Sequence, residues 1–243
     1  MPLTMNELMS WWLSPLSGAT THTAADWMVW HARVMVLAWS FLLPLGVLVA
    51  RYFKVTAKQD WPSQVDNKFW WHTHRLLQYS GVALTLAGVA IAWNKSPQLT
   101  SVSVWHAYLG WTIAALGVFQ VIGAWLRGSK GGPTDTQMRG DHYDMTPYRL
   151  WFEGMHKTFG WAAVLVAIAA VVLGLLAADA PRWMALTLTL WWLTLLLYGM
   201  HLQCAGRSID TYQAIWGADK IHPGNKRPHP GWGMKRLEIN QEK

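Results

Sequence analysis

Polar and apolar positions are sharply segregated along this chain. Positions 34–50, 76–94, 96–126, 158–178 and 183–206 contain no Asp, Glu, Lys or Arg. A helix that crosses a bilayer needs about 20 mostly apolar residues, and each of these five charge-free runs is of that order or longer. A large soluble helical bundle would instead carry a charged face on each helix, and these runs have none. The pattern therefore predicts an all-α, polytopic membrane bundle with transmembrane helices at 27–50, 69–93, 103–126, 151–177 and 182–203. Residues 27–203 form the membrane domain, residues 1–26 an N-terminal segment and residues 204–243 a tail. Residues 5–16 (MNELMSWWLSPL) have the make-up of a short amphipathic helix lying in the interface. The segment 1–26 lacks a basic n-region and a cleavage site, so no signal peptide is expected. Pro44 is expected to kink the first span. The Gly, Pro and Asp content of 127–150 reads as a loop, and the tail, with HPGNKRPHPGWG, reads as irregular, either disordered or packed on a partner.

Composition changes this picture less than its plain values suggest. The mean hydropathy is only +0.13, because the apolar spans are diluted by polar loops. A single Cys excludes a disulfide framework and any multi-Cys zinc or iron–sulfur site within the chain. Of the 19 Trp residues, nine sit near predicted span ends, Trp27, Trp30, Trp70, Trp71, Trp93, Trp105, Trp125, Trp151 and Trp183, where an interfacial belt is expected.

The net charge of +7 is topology. With five spans, the 51–68 loop, the 127–150 loop and the tail share one side, and together they carry 15 of the 20 basic residues. Lys and Arg concentrate on cytoplasmic loops, so the N-terminus is expected on the periplasmic side and the C-terminus in the cytoplasm. Nucleic acid is excluded as a partner, because the basic residues are accounted for as topology signals; membrane lipid is the surrounding phase.

Two parts of the chain repeat. The first and third spans begin Trp30-His31-Ala32 and Trp105-His106-Ala107, and end in Arg51 and Arg127. The second and fourth spans begin His74-Arg75 and His156-Lys157. Each repeat is a two-helix hairpin inserted the same way up, an arrangement with an axis along the membrane normal. A pseudo-twofold axis places His31 near His106 towards the outer face and His74 near His156 towards the inner face of a four-helix core. Two histidine pairs are the minimum for two bis-histidine haems, with all four imidazoles as iron ligands. Small residues run beneath the histidines: Gly160, Ala163, Ala167, Ala170 and Gly174 after His156; Gly110 and Gly117 after His106; Gly81, Thr85 and Gly88 after His74. These offsets keep to one helical stripe, which suits a flat macrocycle. The two irons are expected roughly 20 Å apart along the normal, from about 14 helical rises.

The other histidines are weaker candidates. His72 is expected to face away from His74, His201 is the substitute ligand on the inner side, and His22, His142, His222 and His229 are expected to be solvated. Arg75, Lys157, Arg51 and Lys54 flank the inner histidines. They act either as positive-inside anchors or as partners of haem propionates or of an anionic reductant or oxidant. Glu153 has metal-ligand spacing to His156 but reads as a helix-start carboxylate near the dipole.

These residues resemble the cytochrome b561 family in its bacterial membrane-domain form. The resemblance covers roughly 27–180 and rests on His31, AW at 38–39, PLG at 44–46, ARYFK at 50–54, HRLLQ at 74–78, His106 with LG at 109–110, Gln120, and MHKTFGW at 155–161. It implies a multi-pass protein of a bacterial inner membrane holding two haem b groups, His31 with His106 binding the outer and His74 with His156 the inner. It further implies electron transfer between a periplasmic-side partner and a cytoplasmic-side or quinone partner. Some members use ascorbate and reduce monodehydroascorbate or ferric complexes, and some carry an outer DOMON domain. The short segment ahead of the first span holds no such domain, so an outer redox domain is expected on another polypeptide or absent. Donor and acceptor stay open among a quinone, an ascorbate-like reductant and a redox protein. A homodimer, or a haem b anchor subunit of a larger respiratory or dehydrogenase complex exchanging electrons with quinone, stays open as well.

Overall fold

The computed structural model describes residues 4–20, 23–95 and 100–237. Five helices are long and apolar enough to cross a membrane: Asp26–Tyr52, Phe69–Ala92, Ser101–Trp125, Pro147–Ala177 and Arg182–Cys204. The described residues contain no strand, only two isolated bridges. The protein is a multi-pass helical bundle, as the charge-free runs predict. The fourth span starts at Pro147, one turn earlier than the hydropathy pattern places it. Proline suits the first helical position, where a missing N–H costs nothing, and the Thr146 hydroxyl accepts from the Arg149 N–H at 3.3 Å.

In chain order the elements are α1 (Met5–Leu13), α2 (Asp26–Val36), a π-helical stretch (Leu37–Leu42), α3 (Leu43–Tyr52), α4 (Phe69–Ala92), α5 (Ser101–Trp125), α6 (Asp141–Asp144), α7 (Pro147–Ala177), α8 (Arg182–Cys204) and α9 (Thr211–Trp216), followed by a 3₁₀ turn at Pro223–Lys226. The first span is thus α2, the π stretch and α3 in sequence. Pro44 has no N–H to give the Ser40 carbonyl one turn back. That carbonyl instead accepts the Trp191 indole N–H at 2.6 Å, while the Trp191 ring stacks on Phe41 at 4.8 Å.

The chain forms two compact units, Met1–Pro44 with Ser80–Gly117 and Ala163–Tyr198, and Leu45–Tyr79 with Val118–Ala162 and Gly199–Lys243. The first unit buries Ala38, Trp39, Leu43, Val82, Ile113 and the small stripe Ala163, Ala167 and Ala170. Small residues here permit close helix approach: a Cβ on Gly81 would sit 2.6 Å from Leu43 Cγ.

The second unit has a core of Trp70, Tyr143, Met145, Tyr212, Ile215 and Trp216, flanked by Val49, Ala50, Trp71 and Leu150. This corrects two expectations. Of the described part of the tail, residues 208–216 are buried within the second unit rather than disordered or held by a partner. α9 starts on Asp210, whose carboxylate accepts from the Tyr212 N–H, and ends at Gly217 with φ 87. Gly224 follows because its N–H donates to the Tyr212 hydroxyl at 3.0 Å, and a Cβ there would collide with the Tyr212 ring. The 127–150 segment is also more than a loop. It holds α6 and places His142, Tyr143 and Met145 inside. Of the interface-belt tryptophans, Trp30, Trp93, Trp105, Trp125 and Trp151 are exposed, but Trp70 belongs to the core.

Candidate functional site

Each unit contains one pair of histidines. In the first, His31 on α2 faces His106 on α5, with ring centroids 6.1 Å apart and planes at 83°. His31 Nδ1 lies 2.9 Å from the Gly88 carbonyl of α4, and His106 Nδ1 lies 2.8 Å from the Ala170 carbonyl of α7. A carbonyl only accepts, so each Nδ1 is the protonated nitrogen and each Nε2 keeps its lone pair. Backbone anchoring of this kind fixes ring orientation for a metal-binding imidazole. Gly174 of α7 leaves the space that His106 uses: a Cβ there would be 2.9 Å from Cε1.

The second unit repeats the arrangement. His74 on α4 faces His156 on α7 at 6.4 Å and 81°. His74 Nδ1 is 2.9 Å from the Gly46 carbonyl of α3, much as His31 lies against Gly88. His156 differs from the other three: its buried Nδ1 has no hydrogen-bond partner. It is held from other directions, by Phe152 stacked at 5.5 Å and by the Gln120 side-chain amide, which donates to the His156 carbonyl at 3.0 Å.

The pairs can be tested against an iron between them. Metal–imidazole bonds are about 2 Å long, so two of them with the ring radii put the centroids about 6 Å apart. Both pairs have that spacing. Each pair supplies two nitrogens, which suits an iron whose other four ligands come from a macrocycle. The structure thus brings together His31 with His106 and His74 with His156. It leaves His72 and His201 exposed on other faces. His22 lies outside the described residues. His229 is half-buried, and His222 is half-buried with its Nδ1 3.1 Å from the Tyr143 hydroxyl.

The flanking cations already have protein contacts. Arg51 donates to the Gln203 side-chain oxygen and to the Trp232 carbonyl, both at 3.0 Å, and its guanidinium lies over the Trp232 ring. Lys54 is buried and donates to the Arg51 and Ile209 carbonyls. Burial, with Lys157 nearby, pushes it down to about 7. Lys157 donates to Glu153 and to the Pro230 carbonyl, each at 2.7 Å. Arg75 is exposed, with its guanidinium over the Trp71 and Tyr79 rings.

Sequence reasoning missed the group beneath these cations. Glu153 is not a helix-start carboxylate: α7 begins at Pro147, more than a turn before it. It is 5% exposed, accepts from Arg149 at 2.9 Å and from Lys157, and lies 3.6 Å from His142 Nε2. His142 is likewise buried rather than solvated, edge-on to Trp216 at 4.6 Å. The signal for half of this group was present: Arg149, Glu153 and Lys157 stand at i, i+4 and i+8 on one helix face. The other half needed the segment carrying His142, on a separate element, to fold back against α7.

Five helices long and apolar enough to cross a membrane, with two facing-histidine pairs among them, define a class: an integral helical membrane protein. Residues 30–180 match the family described as eukaryotic cytochrome b561. That is more than half of the chain, and the chain belongs to the cytochrome b561 family, whose members bind haem b. Among its relatives is a cytochrome b561, DM13 and DOMON domain-containing protein of Arabidopsis thaliana, 32% identical over 60% of this chain and 14% of its own length. Ferric-chelate reductase 1 of Homo sapiens is 28% identical over 60% of this chain and 22% of its own length. A cytochrome b561 and DOMON domain-containing protein of Arabidopsis thaliana is 28% identical over 59% of this chain and 30% of its own length. The chain thus spans less than a third of the length of these curated relatives. No solved structure matches it.

Proposed function

We propose that this protein is a di-haem b cytochrome that carries electrons across its membrane. His31 and His106 ligate one haem, and His74 and His156 ligate the other. The single observation behind this reading is the repeated pair geometry: two imidazole pairs at iron-bridging distance, three of the four rings tied by Nδ1 to a backbone carbonyl of a neighbouring helix. Each bound haem would supply a one-electron ferric/ferrous couple. The protein's part is to fix both axial ligands, surround the sites with small and apolar residues, and place positive charge beside the second pair. With both histidines of a pair engaged, a bound haem iron would have no open position, which would favour electron transfer over oxygen chemistry.

The basic loops support a cytoplasmic side for the second pair and the opposite side for the first; that this is the periplasmic side of a bacterial inner membrane rests on the resemblance alone. A quinone, a redox protein or an ascorbate-like reductant is then the exchange partner. The name of the human relative, ferric-chelate reductase 1, adds a ferric chelate as a candidate acceptor.

A reduced-minus-oxidised optical spectrum of the purified protein, with haem quantified per chain, tests this directly. Two b-type haems per chain are expected. His31→Ala and His74→Ala should each lose one, and their double variant both. Retention of two haems in either single variant would refute the pairing. Reduction after reconstitution in liposomes, with ferric chelate, quinol or ascorbate supplied on one side at a time, then sorts the partners.

A further inference from the structure

α1 is a helix without a core to pack on. None of its nine residues is buried. Met5, Leu8, Met9, Trp12 and Leu13 follow the i, i+3, i+4, i+7, i+8 spacing of one helix face, and all are exposed, Met5 by 75%. Glu7 and Ser10 lie on the other side of the helix, and Asn6 borders the stripe beside Leu13. The helix is nevertheless well defined. Its N-terminus is closed by a capping box between Thr4 and Glu7.

The segment after α1 is fastened to the turn between α7 and α8. The Leu16 N–H donates to the Ala180 carbonyl at 3.1 Å, and the Arg182 N–H to the Ser14 carbonyl at 3.0 Å. The Arg182 guanidinium donates to the Ser14 hydroxyl at 2.9 Å and lies over the Trp11 ring. The Ser17 hydroxyl donates to Asp179 at 2.7 Å. The apolar helix α7 ends at Ala177 and the apolar helix α8 begins at Arg182, so the turn between them lies at the ends of two candidate spans. The anchorage therefore holds α1 at the level of a membrane surface, whichever side that is.

We propose that α1 is an interfacial anchor whose Met5–Leu13 stripe is embedded in the headgroup–acyl boundary of the bilayer. The bilayer is the occupant the geometry favours over a protein, because the lipid surface is continuous with the span ends to which α1 is tied. Trp11 and Trp12 are also of the residue type that prefers this boundary. The inference is independent of the redox reading.

Its test is site-directed spin labelling of the full chain in liposomes. The sole cysteine, Cys204, is replaced by serine, and single cysteines are introduced as Leu8→Cys, Trp12→Cys and Ser10→Cys. Met9→Cys duplicates Leu8→Cys should that variant fold poorly. Labels at Leu8 and Trp12 are expected to collide several-fold more with oxygen than with a water-soluble nickel chelate, and the label at Ser10 to show the reverse. Three results would overturn the proposal: equal nickel access on both faces, stripe labels shielded from both reagents, or label–label broadening that disappears on diluting the protein in lipid. These would mean a solvated helix, a protein partner and a second copy of the chain, respectively.

Discussion

At the scale of single residues, the half-buried paired histidines and the buried Glu153 are held in opposite ways. The paired histidines are set by backbone carbonyls, which hold three of the four rings, and their placement is repeated in the two units. Glu153 is a buried charge that exists only with its partners. Its carboxylate answers the Arg149 guanidinium at 2.9 Å and the Lys157 ammonium at 2.7 Å. Removing one member of such a group leaves the others uncompensated, which costs about 3–5 kcal/mol. Glu153→Ala should therefore lower thermal stability in detergent strongly. Glu153→Gln, which can keep one hydrogen bond, should lower it less. Equal melting of Glu153→Ala and the parent protein would rule out the buried ion group as a structural element.

At the scale of elements, Pro44 is the informative break. It sits in an otherwise apolar span, and the structure answers it with a π-helical stretch over Leu37–Leu42 and a donor from another helix. The Trp191 indole N–H replaces the missing backbone donor. Trp191→Phe keeps the stacking on Phe41 but leaves the Ser40 carbonyl short of a partner, at a cost of about 1 kcal/mol. Trp192 beside it has a buried indole N–H with no partner, so Trp192→Phe should be neutral or slightly stabilising. Thermal melts of the two variants side by side check this; identical losses would show that ring volume rather than the hydrogen bond matters at Trp191.

At the scale of the whole molecule, each compact unit has one histidine pair, and the second also has a soluble-type core built from the tail and the 127–146 segment. His142 in that core gives the protein a pH response. Burial, and then the Arg149 guanidinium, push His142 down to about 3 from an ordinary value of 6.5. The unfolded chain therefore binds this proton more readily than the folded one between those values. The stabilisation is complete above pH 6.5 and is lost as pH falls towards 3. Melting temperatures followed from neutral pH into the acid range should fall less steeply for His142→Gln than for the parent chain; parallel curves would refute the assignment.

The sequence alone determined the spans, because a bilayer imposes a length of about 20 apolar residues that no neighbouring segment can alter. It also singled out the four histidines that the structure brings into pairs, because a duplicated hairpin repeats its special positions at matched depths. It did not determine the tail, the Trp70 core or the Glu153 group. Gly, Pro and charged residues look alike whether they are solvated or folded against a neighbour, and the hydrophobic pattern of a helix as short as α9 cannot be read. Those features depend on contacts between segments far apart in the chain: Tyr212 with Tyr143, Lys157 with Pro230, Arg51 with Trp232. Such pairings have no periodicity to betray them, so only the tertiary structure could decide them.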